Sequence, residues 1–267
     1  MLVSSTSQLV KKVDLFGINY AVVDYHSATD QIIEWVETIK NDSASKQGFG
    51  VTALAVHGLI EGYRNDELKQ QINGIDLIVP DGQPIRWAMN WFYKTQLKDR
   101  VYGPTLMLHV LQAAAEKNIP VFFYGSQQLT LNKLRENLLQ QFPNLKIVGM
   151  QADRFRESTE EEKIADRQSI ISSGAKLVFV GRGCPRQERW VAENKDFLPA
   201  VLLAVGAAFD FHAGTVKQAP AWIQKRGLEW LYRLVQEPGR LWKRYLTTNS
   251  YFLYLFLVNT LKKSFKV

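Results

Sequence analysis

Residues 75–88, IDLIVPDGQPIRWA, combine an apolar run, a polar turn and the start of a helical pattern. The run is apolar on both faces, as expected for a strand of a parallel sheet that helices cover on both sides. Asp81 and Gly82 form the turn, and a helix is predicted to begin near Pro84. This order of strand, turn and helix is the repeating unit of α/β folds.

Four further runs of the same kind occur along the chain. They are residues 50–56, 120–125, 176–181 and 200–206. Helical patterns lie between several of them, in residues 105–117, 129–142 and 159–173. The repeated alternation predicts an α/β fold with an open, mostly parallel, Rossmann-like sheet.

The net charge of +7 is concentrated in the C-terminal segment, residues 217–267. This segment has ten basic and two acidic residues, whereas the first 216 residues have 23 basic and 24 acidic residues. A near-neutral body with a strongly basic tail indicates an anionic partner, such as nucleic acid, an acidic membrane or substrate phosphates. We therefore predict a catalytic α/β core in residues 1–216 and a helical, basic appendage in residues 217–267.

Aromatic and apolar residues suggest what the appendage does. Ten aromatic residues follow residue 216, and Pro238 with Gly239 predicts a break between two helices. Residues 251–258 form an apolar run that is too short to cross a bilayer but suits its interface. The sequence therefore predicts association with a membrane surface, and an amphipathic helix packed on the core is the alternative.

The N-terminus and the cysteine content indicate a cytoplasmic protein. Residues 1–12 are polar and lack the apolar region of a secretory signal. Cys184 is the single cysteine, which excludes an internal disulfide framework and fits a reducing compartment. No run approaches the roughly 20 apolar residues of a membrane-spanning helix. We expect a protein that is peripheral on the inner face of the cell membrane.

Polar or glycine-containing turns follow three of the predicted strands. They are Asp81-Gly82-Gln83, Gly125-Ser126 and Gly181-Arg182-Gly183. Ligands of open α/β sheets bind outside the carboxyl ends of the strands, and glycines let a phosphate or sugar approach the backbone. Together the turns predict a pocket, although each could be only a tight turn.

Asp81 has two interpretations. At the carboxyl end of a strand, its carboxylate could act as general base towards a sugar hydroxyl. Alternatively, it could cap the N-terminus of the helix that follows, because aspartate is a favoured cap. The sequence does not decide between them.

Residues 181–190, GRGCPRQERW, predict a turn followed by a helix. Gln187 and Glu188 fall in the first turns of that helix, with arginines nearby that suit a diphosphate. The four histidines show no metal-ligand spacing, and no DxD pair is present, so no metal and no cofactor is predicted. His57 follows a predicted strand and is a candidate for the pocket.

Six motifs in order resemble the WecG/TagA/CpsF glycosyltransferases, over about residues 16–245. They are PDGQPIRWA (80–88), RVYG (100–103), VFFYG (121–125), GRGCPRQERW (181–190), VGAAFDFHAGTVKQAPAW (205–222) and GLEWLYRLVQEPGRLWKRYL (227–246). The resemblance implies an inverting, metal-independent enzyme that acts at the membrane in surface polysaccharide synthesis. It would move a sugar of the N-acetylmannosamine or glucose type from a UDP-sugar donor to an undecaprenyl-diphosphate-linked saccharide.

The resemblance also implies roles for individual residues. It assigns Asp81 as the general base. The implied substrate-binding residues are Thr52, Arg100, Gly103, Gln187, Glu188, Arg233, Arg240 and Arg244, with Lys243 as an alternative to Arg244. Family members often have asparagine where this chain has Leu54, so His57 could replace that contact. Thr105 stands where the family has a carboxylate, which leaves the identity of the sugar open.

Two other classes of function remain as alternatives. A sugar oxidoreductase or epimerase could use the same sheet, but the GxGxxG fingerprint of dinucleotide binding is missing. A nucleic-acid-binding module could use the basic tail, but the apolar run at 251–258 favours a membrane. We expect a UDP-sugar, a lipid-linked saccharide and a membrane surface as partners, and no nucleic acid. The sequence is compatible with a homo-oligomer and does not decide it.

Overall fold

The computed structural model describes residues 10–39 and 48–264, with a six-stranded parallel sheet at the centre. The strands are β1 Lys12–Leu15, β2 Ile18–Ala21, β3 Phe49–Leu54, β4 Leu77–Pro80, β5 Val121–Gly125, β6 Ile147–Gln151, β7 Leu177–Gly181 and β8 Val201–Ala204. The large sheet has the order β4-β3-β8-β7-β5-β6, and β1 and β2 form a separate antiparallel hairpin.

Helices connect the strands and cover both faces of the sheet. They are α1 Tyr25–Thr38, α2 Val56–Arg64, α3 Asp66–Asn73, α4 Gln83–Tyr93, α5 Gly103–Glu116, α6 Gln128–Gln141, α7 Glu160–Ser172, α8 Arg186–Asn194, α9 Ala208–His212, α10 Ala221–Lys225, α11 Glu229–Gln236 and α12 Pro238–Ser264. The predicted helices over 105–117, 129–142 and 159–173 correspond to α5, α6 and α7 and are confirmed.

The strand order opens a crevice at the carboxyl ends of β3, β8, β7 and β5. From β3 the chain first adds β4 at one edge, then forms β5 and β6 at the other edge, and finally places β7 and β8 between them. Such a reversal of strand order is where open α/β sheets bind their ligands. The predicted open, parallel α/β sheet is confirmed.

All five predicted strands are present, and the structure adds three that were not predicted. The edge strand β6 is only partly buried along its length, so it lacks a strongly apolar run. Strands β1 and β2 are four residues each, too short for their alternation to stand out. Phe16 (φ 54°) and Gly17 (φ 86°) turn the chain between them in the left-handed region, as tight hairpins require.

Two hydrophobic clusters, one on each face of the sheet, hold the helices in place. Helices α1, α5, α6 and α9 pack on one face, and α2, α3, α4 and α8 pack on the other. Within β7, Leu177 and Phe179 enter the first cluster while Val178 and Val180 enter the second. Burial on both faces explains why these strands are continuously apolar in sequence.

Helix α12 packs along α2 and joins the second cluster. Glu237 separates α11 from α12, which confirms the predicted break at Pro238. Phe252 and Leu255 are buried, as in the alternative interpretation of the apolar run, whereas Leu257 on the opposite side is exposed. Packing on the core thus accounts for one face of this helix only. The division of the chain at residue 217 stays a prediction.

None of the helices within residues 10–39 and 48–264 combines the length and apolar character needed to cross a membrane.

Candidate active site

Asp81 directly follows β4 and lies in the turn that leads into α4. Gly82, with a φ of 90°, is the N-cap residue of α4, and no side chain caps this helix. The interpretation of Asp81 as a helix cap is therefore wrong. The left-handed φ favours glycine at position 82, and the turn leaves the Asp81 carboxylate facing the crevice.

The surroundings of Asp81 raise its pKa to about 7. Loss of hydration is the main cause, and the negative charge of Glu229 adds to it. The positive charges of Arg100 and Arg233 and a hydrogen bond from the Gly103 amide act in the opposite direction. A carboxylate with a pKa near neutral is suited to accept a proton from a hydroxyl group at neutral pH.

A cavity of about 540 Å³ lies over the carboxyl ends of β5, β7 and β8. We call it the glycine-rich cavity, because Gly181, Gly183 and Gly206 line it. Gly183 has a φ of 75°, and a Cβ atom there would meet open space, so its backbone is accessible from the cavity. Gly125 has a different role, since a Cβ atom there would lie 2.5 Å from the carbonyl oxygen of Gly181. The tight-turn interpretation holds for Gly125 and the pocket interpretation for Gly183.

A second cavity, of about 450 Å³, lies between α4, α11 and α12. We call it the aromatic cavity, because Trp87, Trp230, Tyr245, Phe252 and Phe256 line it. Its walls come from the core on one side and from the predicted appendage on the other. The predicted appendage therefore forms part of the wall of the crevice.

The two cavities meet at Asp81. The residues that line both are Ala55, His57, Asp81, Tyr102, Arg233 and Arg244. A group held in one cavity can therefore reach a group held in the other at this carboxylate. Such a junction suits a transfer reaction between two bound substrates.

Gln187 and Glu188 lie in a hydrogen-bond network beneath the glycine-rich cavity. The Thr52 hydroxyl donates to Glu188 Oε1 at 3.1 Å, and Gln187 Nε2 donates to the same oxygen at 2.9 Å. The Gly206 amide donates to Gln187 Oε1 at 3.1 Å. Burial raises the pKa of Glu188. Thr52 is fully buried and does not itself line the cavity. It contacts Glu188, which does line the cavity.

His57 lies in the first turn of α2 and lines both cavities. Burial, together with the positive charge of Arg244, lowers the pKa of His57 to about 3, so the imidazole is neutral at neutral pH. Its Nδ1 is buried with no hydrogen-bond partner among the described residues. The contact of His57 with the donor, in place of the family asparagine, stays a prediction.

Arg100 is held by Glu229, a residue of the predicted appendage that the sequence analysis missed. Arg100 Nη2 donates to Glu229 Oε2 at 2.6 Å and to Gln224 Oε1 at 3.2 Å. The Tyr102 hydroxyl donates to the other carboxylate oxygen of Glu229, and the guanidinium lies 4.1 Å from the centre of the Tyr102 ring. Arg100 lines the aromatic cavity. One signal could have revealed Glu229: it is one of two acidic residues in the basic segment 217–267.

Arg233 and Arg244 bring positive charge from α11 and α12 to the junction of the cavities. The Arg233 guanidinium lies 5.5 Å from the centre of the Phe211 ring. The side chain of Arg240 lies outside the described part of the structure, and the side chain of Lys243 is exposed. The structure therefore brings two of the predicted appendage arginines to the junction of the two cavities.

Within residues 10–39 and 48–264, no three His, Cys, Asp or Glu side chains are grouped in a way that could hold a metal ion. Positive charge at the junction comes from arginine side chains. Guanidinium groups can stabilise the charge of a diphosphate through paired hydrogen bonds.

Comparison with known proteins identifies the family. Residues 13–266 match the family model described as "Glycosyl transferase WecG/TagA/CpsF family". The chain belongs to this family. The predicted resemblance over six motifs is thereby confirmed, and a glycosyltransferase is favoured over an oxidoreductase, an epimerase or a nucleic-acid-binding module.

Two Bacillus relatives of this WecG/TagA/CpsF protein carry the same name, N-acetylglucosaminyldiphosphoundecaprenol N-acetyl-beta-D-mannosaminyltransferase. The protein of Bacillus spizizenii (strain W23) is 31% identical over 226 residues, which cover 84% of each chain. The protein of Bacillus subtilis (strain 168) is 29% identical over 195 residues, which cover 73% of each chain. Both matches extend over most of the two chains.

Proposed function

We propose that this glycosyltransferase moves a sugar from a UDP-sugar to an undecaprenyl-diphosphate-linked saccharide, with inversion and without a metal ion. The observation that carries the proposal is the position of Asp81, at the junction of two cavities and with a pKa of about 7. The names of the Bacillus relatives support N-acetylmannosamine as the transferred sugar, and a glucose-type sugar is the other candidate.

The donor occupies the glycine-rich cavity in this proposal. The backbone at Gly183 is accessible to phosphates or hydroxyls there, and the Glu188 network holds the floor of the cavity. In this proposal the donor diphosphate lies against Arg233 and Arg244, which line this cavity. They stabilise the charge of the leaving UDP, which in other enzymes is the task of a divalent cation.

The acceptor hydroxyl lies against Asp81 and gives its proton to the carboxylate. The hydroxyl oxygen forms a bond to the anomeric carbon, and the bond from that carbon to the donor phosphate oxygen breaks. The electron pair of the broken bond leaves with UDP. A single displacement of this kind inverts the anomeric configuration.

Transfer from a panel of UDP-sugars to a lipid-diphosphate-N-acetylglucosamine analogue, with EDTA present, tests the proposal. We expect UDP release from one donor, only when the acceptor is present, at a rate that EDTA does not change. The product should have the anomeric configuration opposite to that of the donor by NMR. Activity that returns only with added Mg²⁺ or Mn²⁺ would overturn the metal-independent mechanism, and a retained configuration would overturn the single displacement.

The appendage, residues 217–267, docks on the cytoplasmic face of the membrane in this proposal. Exposed apolar residues follow one side of α12, at the spacing of neighbouring helical turns: Trp242, Leu246, Leu253, Leu257 and Leu261. We call them the exposed stripe of α12. Lys262 and Lys263 follow the stripe and suit anionic headgroups. A helix with such a stripe and basic flanks is typical of interfacial membrane binding.

The variant Leu257→Lys tests this docking. Leu257 is 53% exposed, so the fold tolerates lysine, but a charge in the stripe opposes insertion into the apolar boundary of the bilayer. We expect binding to vesicles that contain phosphatidylglycerol to weaken by about tenfold or more, measured by flotation. Ile171→Lys on α7 is the matched control, because Ile171 is 48% exposed and lies on the core. Equal binding by the two variants would exclude the stripe as the docking surface.

A further inference from the structure

The aromatic cavity has two ends of different chemistry. Asp81 and Arg233 line both cavities and so mark its inner end, whereas Arg100 lines the aromatic cavity alone. Phe252, Leu253 and Phe256 of α12 line the aromatic cavity and not the glycine-rich cavity, and we call this part the outer end. These three side chains have no hydrogen-bonding group, so they offer contact to hydrocarbon and none of the hydrogen bonds that sugar hydroxyls require. The outer end therefore matches a hydrocarbon group better than a sugar.

The mouth of the aromatic cavity opens beside exposed apolar surface. Leu253 lines the cavity and also belongs to the exposed stripe of α12. Trp87 of α4 also lines the cavity and is 46% exposed, and Trp91, one turn later, has its ring 6.3 Å from that of Phe256. An apolar path thus runs from the surface of α12 and α4 to the polar inner end.

We propose that the outer end of the aromatic cavity binds the isoprenoid units next to the diphosphate of the acceptor, with Trp87 and Leu253 as its rim. This inference rests on the proposed function, which places the acceptor hydroxyl at Asp81. The order of groups in the acceptor is hydroxyl, sugar, diphosphate and prenyl chain. The aromatic cavity is lined by the base Asp81, by Arg100 and by the rings of Phe252 and Phe256, so each of these acceptor groups has a partner of matching chemistry there. The core helix α4 is thereby a second part of the lipid-binding surface, beside the appendage.

Binding of prenyl diphosphates by calorimetry, without donor and without vesicles, tests this subsite. The probes are geranylgeranyl diphosphate and dimethylallyl diphosphate, which share the diphosphate and differ in chain length. We expect the wild-type protein to bind the longer compound at least about tenfold more tightly, because each added isoprenoid unit buries apolar surface. Equal affinity for the two probes would overturn the proposal.

Variants at the rim locate the binding. Trp87→Ala and Leu253→Ser should each weaken binding of geranylgeranyl diphosphate by about tenfold and leave dimethylallyl diphosphate unaffected. Trp222→Ala is the matched control, because Trp222 is 58% exposed and lies on α10. A loss in Trp222→Ala as large as that in Trp87→Ala would place the chain elsewhere and overturn the proposal.

Failure of this inference is distinguishable from failure of the proposed function. Chain-length-dependent binding that is lost in Trp87→Ala supports the subsite whether or not any donor sugar is transferred. If the protein transfers sugar but binds the two prenyl diphosphates with equal affinity, the proposed subsite is overturned and the glycosyltransferase function stands.

Discussion

Replacing Asp81 by asparagine is expected to lower the rate of sugar transfer by about two to four orders of magnitude. Asparagine keeps the size of the side chain but cannot accept the proton of the acceptor hydroxyl. UDP should bind with nearly unchanged affinity, because the arginines and glycines of the glycine-rich cavity stay in place. Initial rates of UDP release with acceptor, together with calorimetric binding of UDP, measure the two effects.

Asp76→Asn is the matched control, because Asp76 precedes β4 at the end of the strand opposite to Asp81. Its carboxylate accepts a hydrogen bond from the Gly50 amide at 2.8 Å, a bond that asparagine can keep. This variant should transfer sugar at the wild-type rate. Wild-type transfer by Asp81→Asn as well would rule out Asp81 as the general base.

The raised pKa of Asp81 sets the direction of two pH effects. The transfer rate of the wild-type protein should rise with pH and level off above about 7, because only the ionised carboxylate is a base.

The folded protein also holds this proton more tightly than the unfolded chain does. Ionisation of Asp81 therefore destabilises the fold as the pH rises from 3.8 to about 7. Above neutral pH, Asp81→Asn should unfold at a higher temperature than the wild type.

Replacing Glu229 by alanine is expected to destabilise the protein by about 3–5 kcal/mol. The side chains of Arg100 and Glu229 are only 8% and 10% exposed, so the variant leaves a buried guanidinium without its carboxylate. Tyr102 loses the acceptor of its hydroxyl hydrogen bond in the same variant. Helix α11 should then separate more readily from the core, and trypsin should cleave the basic segment after residue 217 faster. Thermal unfolding and limited proteolysis measure these effects.

Glu67→Ala is the control for the loss of a carboxylate, because Glu67 is 72% exposed and lies 3.7 Å from Arg189. An exposed ion pair of this kind contributes about 1 kcal/mol or less. Equal stability of the Glu229 and Glu67 variants would show that the buried pair does not hold the appendage. Glu229→Gln keeps one acceptor oxygen but removes a charge that raises the pKa of Asp81, so its rate profile should rise at lower pH.

Local sequence patterns were sufficient to predict most strands of the large sheet and several of the helices. The apolar runs at 50–56 and 176–181 became β3 and β7, because burial on both faces leaves a signal within a few consecutive residues. The partly exposed edge strand β6 left no such signal. The two interpretations of Asp81 could not be separated in this way, because they differ in the φ of Gly82 and in the cavities that surround the carboxylate.

The appendage shows most clearly which features can be predicted from the sequence and which depend on the tertiary structure. Its basic charge, its aromatic residues and the break at Pro238 were readable along the chain, as were the six family motifs. The ion pair of Arg100 with Glu229 was not, because these residues are 129 positions apart and nothing in either neighbourhood specifies the other.

The sequence by itself determined the α/β class, the family, the candidate base and the charge of the tail, since each depends on residues close together in the chain. Only the tertiary structure decided that α12 buries one face against α2 and exposes the other, and that two cavities meet at Asp81. Packing between distant segments sets the burial, and burial sets the pKa that suits this carboxylate to act as a base.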